Sequence, residues 1–81
     1  MNIKYFESFS DGSGISATVE LRGVVFGVNY VKGEVRVHLA PYKYPPRFPK
    51  WYRTHIEKWA REQVDAMPAE WHAMHRELYG I

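Results

Sequence analysis

Between Ile15 and Leu39 the chain alternates apolar and polar residues with a period of two, broken twice by a charged residue followed by glycine. Ile15, Ala17, Val19 and Leu21 interleave with Ser16, Thr18, Glu20 and Arg22, and Val35, Val37 and Leu39 interleave with Glu34, Arg36 and His38. Between these runs Val24, Phe26, Val28 and Tyr30 share one side while Val25, Gly27, Asn29 and Val31 share the other. Successive side chains of a strand point to opposite faces, so this pattern predicts strands buried on one face only. Arg22-Gly23 and Lys32-Gly33, with Asp11-Gly12 before them, place glycine where tight hairpins need a positive φ. With a less regular strand over residues 2–9, the reading is a four-stranded antiparallel meander.

From about Pro49 the period changes to that of a helix. Tyr52, Ile56, Trp59, Gln63 and Met67 fall in one arc with Ala60 and Ala66 at its margins, and Pro68 ends or kinks the run. A second helical segment from Pro68 to Tyr79 would present Trp71, Met74 and Leu78, with Gly80 as its stop. The expected class is α+β: a four-stranded antiparallel β-meander packed on one face by a C-terminal helix broken or kinked near Pro68. The 81 residues suit a single domain. Within it, 1–40 is the meander, 41–48 a connector and 49–81 the helical part.

Composition narrows the function classes. The chain has no cysteine, which removes disulfides, thiolate metal sites and cysteine nucleophiles. Residues 1–30 offer no charged n-region followed by an apolar run, no window is apolar enough to span a membrane, and a cytoplasmic location is expected. The formal charge of +2 conceals a division along the chain. Residues 1–40 are balanced, residues 41–53 carry +4 with no acid, and residues 54–81 carry −2.

The segment PYKYPPRFPKWYR, residues 41–53, sets Lys43, Arg47, Lys50 and Arg53 among Tyr42, Tyr44, Phe48, Trp51 and Tyr52 and holds four of the five prolines. Cations and rings on a stiff backbone can neutralise and stack against a partner. The competing structural role is a crossover whose rings cap the core and whose charges keep it soluble. Pro46-Arg47-Phe48-Pro49 also has the PxxP spacing, a pattern of low specificity. Lys43, Tyr44, Arg47, Lys50, Trp51, Arg53 and His55 are the candidate partner-binding residues. Trp51 and His55, with Glu62, lie at the edge of the apolar arc, where Trp51 would serve either as a contact residue or as core.

His72 and His75 are three apart, a spacing from which two imidazoles can reach one metal, but the expectation is two surface histidines and no metal or other cofactor. Gly12-Ser13-Gly14 is a fragment of a nucleophile elbow in a hairpin context, and no phosphate-cradling motif occurs. No catalytic set is legible. The second face of the sheet is expected to show Phe6, Val25 and Val31 beside Lys4, Thr18, Asn29, Arg36 and His38, a mixture suited to a homodimer contact or a docking surface.

These features lead to a small non-enzymatic protein-binding module that modulates or inhibits a larger host complex through an acidic surface of that complex. By analogy of size and composition, phage and mobile-element accessory proteins are of this type. The alternative is a nucleic-acid-binding protein using residues 41–53, which a steep salt dependence would reveal.

Overall fold

A computed structural model describes residues 1–39 and 49–81. Four strands, β1 (Asn2–Ser8), β2 (Ile15–Leu21), β3 (Val24–Val31) and β4 (Glu34–Leu39), form one antiparallel sheet in the order β1-β2-β3-β4. Two helices follow, α1 (Trp51–Asp65) and α2 (Ala69–Tyr79). The expected meander and the class are both present. The connector, residues 41–48, lies outside the described residues.

The two short hairpins form where the X-Gly pairs fall. Arg22 and Gly23 have φ of 50° and 82°, and Lys32 and Gly33 have φ of 54° and 77°. Positive φ at both central residues makes the turn follow the right-handed twist of the strands. Register then follows without slippage: Val19 pairs with Phe26, Ala17 with Val28, and Val28 with Val37. One face of the sheet therefore collects Ala17, Val19, Leu21, Phe26, Val28 and Val37. Helix α1 lays Tyr52, Ile56, Ala60 and Val64 on it and packs chiefly against β3 and β4.

Trp59 only flanks this core, Met67 only flanks the neighbouring cluster of Ile15, Val64 and Trp71, and Gln63 is likewise half-buried. The buried stripe of α1 advances in steps of four, so it runs through Ala60 and Val64 and sets Trp59 at its margin.

β1 departs from the expected pattern. Its pairing with β2 shifts between Ile3 and Tyr5, where Ile3 faces Val19 and Tyr5 faces Thr18, leaving Lys4 as the extra residue of a bulge. The bulge moves the remainder of the strand out of phase by one. Phe6 is thereby opposite Ala17 and on the helix side, its ring meeting Trp59 edge-on at 6.1 Å. The expectation that Phe6 joins Val25 and Val31 on the open face is thus corrected. Those two valines do not flank one another either, since Val25 pairs with Glu20 and Val31 with Glu34.

Pro68, extended at φ −60° and ψ 154°, separates the helices, and Gly80 at φ 68° ends α2 in the left-handed conformation. The inward face of α2 is Trp71 and His75, with Tyr79 half-buried beyond them. Met74 and Leu78 are exposed instead of buried, because α2 turns its ring-bearing i, i+4, i+8 row toward the sheet.

That row docks by packing Trp71 into a second apolar cluster with Ile15 and Val64 and by hydrogen bonds to turn backbone. Trp71 Nε1–H donates to the Phe9 carbonyl at 2.8 Å, and the Tyr79 hydroxyl donates to the Ser13 carbonyl at 2.6 Å. His75 lies between them, 2 % exposed, with Nδ1 2.6 Å from the Gly12 carbonyl and Nε2 accepting the Gly33 N–H at 3.0 Å. Since Nε2 accepts, the ring proton sits on Nδ1 and donates to Gly12. Tyr30 and Trp71 sandwich the imidazole at centroid distances of 4.8 and 5.2 Å. His75 is therefore no surface histidine, and both of its nitrogens are committed to backbone.

Candidate functional site

The antiparallel meander places the β2–β3 turn at one end of the sheet and both the β1–β2 loop and the β3–β4 turn at the other, where α2 docks. Helix α1 begins at the former end. Lys50 is its N-cap with no side-chain cap bond, and its first turn carries no acid. The Pro49 carbonyl accepts the Tyr52 N–H at 3.1 Å, so the chain already curls into the helix at Pro49. Unfilled backbone N–H groups at a helix start carry a partial positive charge, which here adds to the cations beside them.

Tyr52 is buried with its ring against Phe26 at 6.5 Å, and this anchor fixes its neighbour Trp51 on the outside. Trp51 is 43 % exposed. The Arg22 guanidinium lies over its ring, 5.2 Å from the centroid, and His55 meets it edge-on at 6.4 Å. Arg22 reaches Trp51 because the positive-φ turn carries it at the rim of the sheet, above the start of α1. A cation over an indole face is worth about 0.5–1 kcal/mol at an exposed site, enough to favour one orientation of the ring.

Of the residues singled out in the sequence, Trp51 and His55 come together, and Lys50, the N-cap, and Arg53, in the first turn of the same helix, are exposed. Lys43, Tyr44 and Arg47 lie outside the described residues. Arg22 was missed by sequence reasoning, since a hairpin arginine 29 positions before the tryptophan carries no local signal. The ion pairs formed among the described residues are Lys4 with Glu20 at 4.0 Å and Glu34 with Arg36 at 3.3 Å. Arg22, Lys50 and Arg53 take part in neither, so no carboxylate among the described residues is paired with them.

Chemically, this surface offers an exposed indole, a braced guanidinium and further cations at the positive end of a helix. It suits an anionic, partly flat partner surface. No group of three or more His, Asp or Glu side chains arranged to hold a metal occurs among the described residues. Among the same residues, no helix is long and apolar enough to cross a membrane. No protein-family model matches the chain, and no match was found among curated proteins or solved structures.

Proposed function

We propose that the protein is a small, non-enzymatic binding module of the cytoplasm that docks onto an acidic surface of a larger protein assembly and thereby modulates or inhibits it. The observation that supports this reading is Trp51, exposed and braced by Arg22 among cations that form no ion pair with a carboxylate among the described residues. Tryptophan and arginine are the residue types most enriched among those that dominate binding energy. The cations would speed encounter with an acidic face, and the indole would slow departure.

The test begins with affinity capture from a host lysate, with and without nuclease. The captured partner is then titrated with wild type and with a variant combining Arg22→Glu, Trp51→Ala and Arg53→Glu. All three side chains are exposed, so circular dichroism should show the fold retained. Affinity should fall at least about tenfold, or about 1.4 kcal/mol. Undiminished binding by the folded variant would overturn the assignment of this surface. Capture that vanishes with nuclease, together with an affinity that falls steeply with salt, would replace the protein partner with a nucleic acid.

A further inference from the structure

β1 is an edge strand with every one of its seven residues exposed, including the large apolar pair Ile3 at 47 % and Phe6 at 41 %. Both face the helix side, yet α1 packs chiefly over β3 and β4, leaving them uncovered beside Trp59. Asn2, Tyr5 and Glu7 face the open side with their β2 partners Glu20, Thr18 and Ser16, and Lys4 reaches over that side to Glu20. From residue 2 to residue 7 the facing order is thus open, helix, open, open, helix, open. That order reads the same in both directions.

We propose that a second copy of this chain pairs with β1 edge to edge, antiparallel, about a two-fold axis passing between Lys4 and Tyr5. Directly opposite residues of an antiparallel pair point to the same face, so each position must meet one of its own kind. About this axis Asn2 meets the partner's Glu7, Ile3 meets the partner's Phe6, and Lys4 meets the partner's Tyr5. The helix side gains a continuous row of two isoleucines and two phenylalanines. The open side sets Lys4 diagonal to the partner's Glu7, with no like charges opposed. Shifting the register by one would put Phe6 against the partner's Lys4.

A bulge commonly protects an edge by twisting it away from a partner. A second β1 carries the same extra residue, so the two bulges oppose one another and no residue of either strand is left over. Lys4, the usual edge-blocking charge, is already drawn toward Glu20. The contact is isologous and closes at two copies.

Sedimentation velocity over a wide concentration range should show a monomer–dimer equilibrium for the wild type. Ile3→Lys and Phe6→Lys, both at exposed positions, should each raise the dimer dissociation constant at least about tenfold while circular dichroism stays native. A wild type that remains monomeric at the highest concentration, or a dimer that persists in the folded double variant, overturns the proposal. Register is read separately in this cysteine-free chain. A mixture of Asn2→Cys and Glu7→Cys proteins should form a mixed disulfide, while neither variant alone should cross-link to itself. Self-linking without the mixed species overturns the axis.

Discussion

His75 accepts the backbone N–H of Gly33, 42 residues earlier in the chain, at 3.0 Å, and its other nitrogen lies 2.6 Å from the Gly12 carbonyl. One ring thus joins two hairpin ends to α2. His75→Phe keeps the stacking with Tyr30 and Trp71 but leaves both backbone groups without their partner, and should cost about 1–3 kcal/mol. His75→Gln can offer a carbonyl and an amide in the same place and should recover part of that loss. Equilibrium denaturation of the two variants checks this, and equal losses would mean that the ring's polar contacts contribute little. Long-range nitrogen–proton correlation spectra should show the Nδ1–H tautomer.

Gly12 and Gly23 have nearly the same φ, 81° and 82°, but different surroundings. A Cβ on Gly12 would stand 2.7 Å from the Cβ of Met74, whereas one on Gly23 would meet nothing within 4 Å. Gly23→Ala should cost only the left-handed strain of about 1–2 kcal/mol. Gly12→Ala adds displacement of α2, so its loss should be clearly the larger. Thermal melts of both variants decide the order.

The Asp11 carboxyl is held below the usual carboxylate range by hydrogen bonding to the Ser13 hydroxyl first and to the Ser13 N–H second. A depressed carboxyl contributes stability above its unfolded-state value and loses it as pH falls through the folded one. Asp11→Asn should therefore be less stable than wild type near neutrality, with the difference shrinking in acid. A difference that is constant with pH would show that the carboxylate charge is not what the loop uses. Asp11 is fully exposed, so the effect should be small.

The meander was legible because period-two runs and X-Gly turns are local signals, each contained within a few residues. Pro68 and Gly80 marked the helix ends for the same reason. The face of Phe6 was not legible, since a bulge is set by pairing with β2 and leaves no mark in β1 alone. The orientation of α2 failed for a related cause. A period count scores Met74 and Leu78 above His75, but the carbonyls of Phe9, Gly12 and Ser13 select aromatic side chains with polar ends. In the candidate surface, Trp51 and His55 were found by helical spacing, while Arg22 required knowing which turn lies over the helix start.

The polar row on α2 also has a consequence for the order of folding. Its acceptors and donor are turn groups from Phe9, Gly12, Ser13 and Gly33, which are correctly spaced only once both hairpins have closed. Helix α2 should therefore dock after the rate-limiting step, as a latch on a finished sheet. Substitutions at Trp71, His75 and Tyr79 would then accelerate unfolding and leave the refolding rate nearly unchanged, whereas substitutions at Val19 or Phe26 would slow refolding.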